Sequence, residues 1–318
     1  MENVTDIRPL ISVCTVTYNQ ANYIAQCIES VLMQQTDFDW ELVIGDDGST
    51  DGTSAICQQY AAAHPHRIRY YYRSRKNRPI LSADVNVNRY NLVETFKTAG
   101  GQYIAWLDGD DYYTDVQQLQ KAKQFFNANP DCKIIFTDAH DVDANRAFLH
   151  DVTSAIRRNL NPDDLIFNCP VTSSLMFEYA AIADLLQQPA IWQAPALDLF
   201  LMATLSCNSY MGYVPTLPVG YRFHGANMRS EKSIRRFHRT TLINALLLYN
   251  VLRGNCVQTT RKRILIASRV NVKYNLRHFN IRYLLSCIRM VTGYVQQSGD
   301  WKFFIDFWNR KLLYQRSS

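Results

Sequence analysis

Short apolar runs alternate with helical patterns over the first 140 residues, and this alternation limits the possible folds more than any other feature. Each apolar run predicts a strand, and the segments between the runs carry apolar residues at helical spacing. Alternating strands and helices are typical of a sheet of largely parallel strands covered by helices, so the sequence predicts an α/β fold. The predicted strands are Leu10–Thr17, Trp40–Gly45, Ile68–Tyr72, 102–107 and Cys132–Thr137.

Two of these strands end in acidic turns that contain glycine. The first acidic turn, Asp46–Asp51, follows the strand at 40–45, and the second, Asp108–Asp111, follows the strand at 102–107. Parallel strands place their carboxyl ends at one edge of the sheet, where open α/β sheets bind ligands. Hard divalent cations take carboxylate and phosphate oxygens. The two turns together therefore predict a site for a metal ion and a diphosphate.

The acidic residues also have plainer interpretations. Asp and Gly after a strand are common in turns, and Asp47 and Asp51 could serve as turn and capping residues for the helix that begins near Thr53. Asn91 could be only the N-cap of the next helix. An EF-hand is excluded, because the twelfth position of such a loop holds Leu119 instead of Glu. The occurrence of two acidic turns at one edge favours a binding site.

The two turns together resemble those of the inverting glycosyltransferases of family 2, a large bacterial family with the GT-A fold. Further resemblance is carried by Thr15–Asn19 at the end of the first strand and by Gly101–Ala105 before the second acidic turn. The resemblance covers residues 10–140 and continues more weakly to Tyr221–His224. It implies a GT-A type doubly wound mixed sheet with a Rossmann-like nucleotide-binding half, followed by a C-terminal helical region.

The resemblance implies a role for each matching residue. Tyr18 and Asp47 would contact the base or ribose, and Asp110, with Asp108 and His224, would hold Mg²⁺ or Mn²⁺. The full set that would bind the nucleotide-sugar donor is Thr17, Tyr18, Asp46, Asp47, Asn91, Asp108, Asp111 and Arg222.

The implied reaction moves a sugar from a nucleotide donor, with a UDP-sugar favoured, to a hydroxyl of a glycan or lipid-linked acceptor in the synthesis of bacterial surface polysaccharide. Inversion needs one base on the acceptor side, and the resemblance assigns Asp198 to that role. Asp198 could instead be an acidic first-turn residue that the helix dipole favours.

Two other functions stay open. A sugar nucleotidyltransferase would share the fold, but Thr17–Gln20 lacks the glycine-rich phosphate loop that such enzymes usually carry. A non-catalytic module that binds nucleotide sugars is opposed by the intact acids of both turns. A dinucleotide dehydrogenase is disfavoured, because no GxGxxG follows the first strand.

The segment Arg73–Asn88 is polar and basic and has no clear period, which predicts a surface loop. Its four cations could bind phosphate or acceptor, although a solvated loop is the interpretation that the composition favours. They are Arg73, Arg75, Lys76 and Arg78.

Charge divides the chain into an acidic and a basic part. Residues 221–318 carry 19 Lys and Arg against 3 Asp and Glu, a balance of +16, whereas residues 1–220 carry −10. We therefore expect a GT-A domain over 1–234 and a basic helical region over 235–318. The basic region predicts a peripheral membrane contact, a homo-oligomer contact or a solvated face. Nucleic acid is not expected as a partner, since only the charge would support it.

The expected location is cytoplasmic, either free or peripheral on the inner face of the plasma membrane. Residues 1–9 are polar, which does not resemble a signal peptide. No apolar run reaches the roughly 18 residues of a membrane-spanning helix. The eight cysteines include no CxxC pair, so a structural zinc site is not expected.

Overall fold

The computed structural model describes residues 8–77, 88–223, 234–252 and 256–308. These residues form two compact units, the first built on a mixed sheet and the second on helices. Residues 193–200, which the sequence assigned to the first domain, group with the helical unit. The first unit contains 8–77, 88–192 and 201–223, and the second contains 193–200, 234–252 and 256–308.

Eight strands form one mixed sheet in the order β3-β2-β1-β4-β7-β5-β6, and β8 also pairs with β5. Strands β3, β2, β1 and β4 are parallel, whereas β7 is antiparallel to both β4 and β5. Since β8 is parallel to β5, the carboxyl ends of β1, β2, β4, β5 and β8 share one edge, here called the carboxyl edge. The strands are β1 (Ile11–Thr17), β2 (Trp40–Asp46), β3 (Ile68–Tyr72), β4 (Tyr103–Asp108), β5 (Ile134–Val142), β6 (Phe148–Asp151), β7 (Leu175–Glu178) and β8 (Met211–Arg222).

Helices cover the sheet because their apolar residues recur at helical spacing. In α1, for example, Ile24, Ile28 and Val31 are spaced i, i+4 and i+7, and all three are fully buried. The described helices are α1 (Ile24–Leu32), α2 (Thr53–Ala63), α3 (Arg89–Lys97), α4 (Gln118–Ala128), α5 (Ala180–Ala183), α6 (Pro189–Gln193), α7 (Leu197–Leu205), α8 (Ile234–Leu252), α9 (Val257–Arg277), α10 (Ile281–Ser298) and α11 (Lys302–Trp308).

The five strands predicted for the first 140 residues are all present, and among these the largest error concerns β5. That strand continues to Val142 instead of ending at Thr137. The sequence did not indicate β6, because four residues are too few to show a period and Phe148 and Leu149 are exposed. Both errors concern the hairpin of β5 and β6, which extends the sheet at its carboxyl edge.

Each unit has a separate hydrophobic core. The first core lies where β1, β2 and β4 pack against their helices, and it includes Val13, Leu42 and Ala105. The second core joins α8, α9, α10 and α11 around side chains such as Ile264 and Val295. No helix among the described residues is both long enough and apolar enough to cross a membrane.

Candidate active site

Both acidic turns lie at the carboxyl edge and are anchored to the end of β1, the strand between β2 and β4. The Asp47 N–H donates to the Thr17 carbonyl at 2.9 Å, and the Gly109 N–H donates to the Val16 carbonyl at 3.0 Å. The two turns therefore flank one backbone segment, as the sequence predicts for parallel strands.

Asp46 shapes the first acidic turn from inside. Its carboxylate is fully buried and accepts hydrogen bonds from the Ser49 N–H at 2.8 Å, from the Tyr70 hydroxyl at 2.8 Å and from the Ser54 hydroxyl. These bonds hold β2, β3 and the start of α2 around one carboxylate. Asp46 therefore fixes the conformation of the first acidic turn, and its predicted contact with the donor stays a prediction.

Asp47 is paired with a cation that the sequence analysis did not assign to the site. The Arg75 guanidinium donates to Asp47 Oδ2 through Nη2 at 2.7 Å and through Nε at 2.9 Å. The same guanidinium lies over the Tyr18 ring, 3.2 Å from its centroid. Tyr18, Arg75 and Asp47 thus form a stacked and charged group, and the interpretation of Arg75 as part of a solvated loop is wrong.

Arg73 is also half-buried behind the same turn. Its Nη1 donates to Asn91 Oδ1 at 2.9 Å and to Thr95 Oγ1 at 3.1 Å, while Asn91 Nδ2 donates to the Gly45 carbonyl at 2.7 Å. A Cβ on Gly45 would lie 2.6 Å from both Arg73 Nη1 and Asn91 Oδ1, which explains the glycine near the end of β2. The solvated-loop interpretation is therefore also wrong for Arg73.

Asn91 is fully buried within the first turn of α3. The N-cap of that helix is Asn88, so the interpretation of Asn91 as an N-cap is wrong. Its amide supports Arg73 and the end of β2, and the predicted contact of Asn91 with the donor stays a prediction. Thr17 is similarly engaged, since its hydroxyl donates to Gln20 Oε1 at 2.8 Å.

In the second acidic turn, the Asp108 carboxylate accepts hydrogen bonds from uncharged donors. Asp108 Oδ1 accepts from the Trp106 indole N–H at 2.9 Å, and Oδ2 accepts from the Thr172 hydroxyl at 2.8 Å. The Asp108 N–H donates to Ser173 Oγ at 3.0 Å. Thr172 and Ser173 belong to a short 3₁₀ turn before β7. Sequence reasoning missed them, because nothing in that segment indicates that it lies beside β4.

Asp111 is a buried carboxylate within a cluster of like charges. It accepts from the Arg222 N–H at 2.7 Å and from the Ser173 hydroxyl. Burial raises the pKa of Asp111 well above its usual value, and the charges of Asp110 and Asp108 raise it further. The second turn therefore concentrates negative charge at the carboxyl edge.

Arg222, the last residue of β8, is 2% exposed. Its Nε donates to the Asp110 carbonyl at 2.7 Å, its Nη1 to the Ala144 carbonyl at 2.9 Å and its Nη2 to Gln26 Oε1 at 2.8 Å. Through its bond to the Asp110 carbonyl, the buried side chain therefore stabilises the backbone of the second turn. Its predicted contact with the donor diphosphate stays a prediction.

Two of the predicted site residues are not among those that the structure places around the two acidic turns. His224 lies outside the described residues. Asp198 is half-buried in the first turn of α7 and belongs to the second unit, so its role as the base stays a prediction. Within the described residues, no three His, Cys, Asp or Glu side chains form a group that could hold a metal ion.

Comparison with known proteins assigns the family. The family model described as Glycosyl transferase family 2 matches residues 12–182, more than half of the chain, so the chain belongs to that family. A putative teichuronic acid biosynthesis glycosyltransferase of Bacillus subtilis, TuaG, is 34% identical over 134 residues, which are 42% of this chain and 48% of TuaG. The chain spans 59% of the length of the uncharacterized mycobacterial relatives that it matches.

Solved structures confirm the GT-A type α/β fold. S. aureus TarS 1–349 in complex with UDP-GlcNAc superposes with a TM-score of 0.58 at 14% identity, over 87% of this chain and 79% of that chain. The mannosyltransferase PcManGT from Pyrobaculum calidifontis, in complex with GDP-Man and Mn²⁺, gives a TM-score of 0.56 at 16% identity, over 94% of this chain and 79% of that chain. At such low identity the likeness shows the fold alone.

Proposed function

We propose that the protein is a metal-dependent, inverting glycosyltransferase that moves a sugar from a nucleotide-diphosphate donor to a hydroxyl acceptor. The observation that carries the proposal is the anchoring of both acidic turns to Thr17 and Val16 at the carboxyl edge. Membership of the family supports the reaction class. A UDP-sugar is the favoured donor.

The first acidic turn is proposed to bind the nucleoside. Tyr18 offers an aromatic face, and the Asp47 carboxylate can accept from a base N–H or a ribose hydroxyl. In the described structure Arg75 covers that face and occupies that carboxylate. A bound base would therefore meet Arg75 as well as Tyr18 and Asp47, and Arg75 joins the proposed donor site.

The second acidic turn is proposed to face the diphosphate. Asp108 and Asp110 supply hard oxygen ligands, and a hard divalent cation commonly takes one or two carboxylates together with substrate phosphates. Burial and two neighbouring negative charges raise the pKa of Asp111, and this crowding of carboxylates supports the proposal that a cation binds at this turn. The donor set thus fits Mg²⁺ or Mn²⁺, with His224 as a further ligand. When bound, the cation would stabilise the charge of the departing nucleoside diphosphate.

The protein side chains would position the reactants around this centre. Arg222 and Ser173 would hold the second turn in a fixed conformation, so that its carboxylates need little reorganisation during the reaction. Asp198 would take the proton from the acceptor hydroxyl, which then attacks the anomeric carbon from the face opposite the leaving group.

The acceptor is proposed to be a glycan or a lipid-linked glycan, and the product a bacterial surface polysaccharide. The name of the Bacillus subtilis relative TuaG, a putative teichuronic acid biosynthesis glycosyltransferase, supports this class. Such an acceptor favours a location in the cytoplasm at the inner face of the plasma membrane.

The test is donor turnover by the full chain, measured over a panel of nucleotide sugars with Mn²⁺, with Mg²⁺ and with EDTA. We expect metal-dependent release of nucleoside diphosphate from one donor, with thermal stabilisation by that donor alone. The anomeric configuration of the transferred sugar reports inversion. In Asp198→Asn, kcat should fall by at least about 10²-fold while donor stabilisation persists.

Other outcomes would overturn the proposal. Release of pyrophosphate from a nucleoside triphosphate and a sugar phosphate would indicate a nucleotidyltransferase. Donor binding without turnover under every metal condition would indicate a binding module. Retention of the anomeric configuration would contradict the single-base mechanism assigned to Asp198.

A further inference from the structure

Exposed apolar side chains are concentrated where α9 meets α10. Phe279 in the connection is 90% exposed, and Ile281 at the start of α10 is 68% exposed. Leu276 precedes them, and Leu285 and Ile288 follow, all exposed. This segment, residues 273–289, is here called the hairpin tip. So many large apolar residues in contact with water are unusual unless the surface binds something.

The packing of α10 does not account for these residues. The helix already buries one apolar face against the core of the second unit, formed by Cys287, Val291, Tyr294 and Val295. Ile281, Leu285 and Ile288 are spaced i, i+4 and i+7, so they share a different face, which is exposed. The helix therefore carries a second apolar stripe that its own unit does not use.

The backbone of the connection holds Phe279 outward. Phe279 has φ 51°, a conformation that a bulky residue rarely adopts. The turn is closed by the Asn280 N–H, which donates to the Asn275 carbonyl at 2.9 Å, and by the His278 N–H, which donates to the Tyr274 carbonyl at 3.2 Å. The exposed ring is thus presented by a hydrogen-bonded turn.

The charges around the tip are all of one sign. Exposed cations lie beside the apolar residues: Lys273, Arg277, Arg282 and Arg289. Arg282 and Arg289 are seven residues apart and so lie along one side of α10. The sequence contains no Asp or Glu from residue 232 to residue 299. An apolar stripe with basic flanks fits the boundary between anionic head groups and acyl chains.

We propose that the hairpin tip docks on an anionic lipid surface, with Phe279, Ile281 and Leu285 entering the acyl boundary and the flanking cations meeting lipid phosphates. A second copy of the chain fits this surface poorly, because a two-fold contact would bring like charges together. A nucleic acid would match the charge but offers no apolar layer for the stripe. This proposal stands apart from the chemistry of the active site.

The test is co-sedimentation of the full chain with vesicles of phosphatidylcholine alone or mixed with phosphatidylglycerol. We expect binding only when the anionic lipid is present, with a decline as salt is raised. The double variant Phe279→Ser/Ile281→Ser should lower the partition coefficient about tenfold or more. Arg277→Glu/Arg282→Glu should lower it as well, since it reverses two of the charges.

The matched control is Phe167→Ser/Leu217→Ser, which removes two exposed apolar side chains from the first unit. It should bind vesicles like the wild type, and equal melting temperatures would show that all variants are folded. Three results would overturn the proposal: unchanged vesicle binding by Phe279→Ser/Ile281→Ser, equal binding to neutral vesicles, or a dimer without lipid that this variant abolishes. Binding to DNA with no binding to vesicles would likewise overturn it.

Discussion

The two acidic turns flank the same strand, but their carboxylates have different hydrogen-bonding and charged partners. In the first turn, Asp47 is paired with the Arg75 guanidinium at 2.7 Å. In the second turn, uncharged donors from Trp106, Thr172 and Ser173 reach Asp108 and Asp111. Burial raises the pKa of Asp111, and the neighbouring carboxylates raise it further. The first turn thus contains an ion pair, whereas in the second turn three carboxylates lie close together and the buried Arg222 guanidinium donates to the Asp110 carbonyl.

This difference separates two kinds of binding. A carboxylate that is already ion-paired and lies beside an aromatic ring suits a neutral, flat ligand. Such a ligand can stack on the ring and replace part of the hydrogen bonding of the carboxylate. A cluster of carboxylates is costly until a cation joins it, because like charges at short range disfavour ionisation. This difference supports the proposal that the first turn binds the nucleoside and the second a metal-bound diphosphate, and the comparison can be tested one turn at a time.

The largest effect is expected from Asp110→Asn. If the second turn holds the cation, this variant should lose about 10³-fold in kcat/KM, since metal stabilisation of the leaving group is worth several kcal/mol. Steady-state donor turnover at saturating Mn²⁺ measures the loss. Asp131→Asn removes an equal charge from an exposed site and should have no effect. If Asp110→Asn turns over donor at the wild-type rate, the second turn does not hold the catalytic cation.

The next largest effect is expected from Arg75→Met. Asp47 has only 2% of its side chain exposed, so loss of its partner should destabilise the fold by about 2 kcal/mol, less than a fully buried pair because Arg75 is 30% exposed. Chemical denaturation measures the change. In the double variant Arg75→Met/Asp47→Asn most of the loss should be recovered. If the double variant is no more stable than the single one, the first turn is not a compensated pair.

The smallest effect, and the opposite sign, is expected from Asp111→Asn. Without metal, this variant should be more stable than the wild type by about 1 kcal/mol near neutral pH, because on folding the wild type must either bury the Asp111 charge or take up a proton. The folded-state pKa of Asp111 is raised, so wild-type stability falls as pH rises above the unfolded value of roughly 4. The advantage of the variant should therefore vanish below about pH 4 and grow above it.

Thermal denaturation in EDTA over this pH range measures that advantage, and Mn²⁺ should reduce it. The same change in the first turn, Asp47→Asn, should lower stability instead, since it leaves Arg75 without its carboxylate. If Asp47→Asn and Asp111→Asn change the stability in the same direction, the proposed difference between the two turns is wrong.

How much the sequence predicts differs between the backbone and the side chains. Asp47 and Asp108 could be assigned to one edge, because each follows an apolar run and parallel strands end together. The pairing of Arg75 with Asp47 could not be predicted, although both residues follow strands that end at that edge. Ser173 lies 65 residues from Asp108 along the chain, and no local pattern connects them.

Other positions show why burial is hard to read from sequence. The Arg222 side chain is buried against three acceptors, which the sequence did not indicate, and its predicted contact with the donor stays a prediction. Asn91 was weighed as an N-cap, yet it lies within the first turn of α3 and joins Arg73 to β2. Both assignments depend on which neighbours surround a polar group, and those neighbours come from distant segments.

The sequence alone determined the alternation of strands and helices over the first 140 residues, the two acidic turns and the basic charge of the helical region, because periodicity and composition are local properties of the chain. The tertiary structure decided which carboxylates are paired and which repel one another, and it exposed Phe279 and Ile281 at the hairpin tip. The physical reason is that compensation and exposure depend on contacts between residues far apart in the chain, which only the folded arrangement brings together.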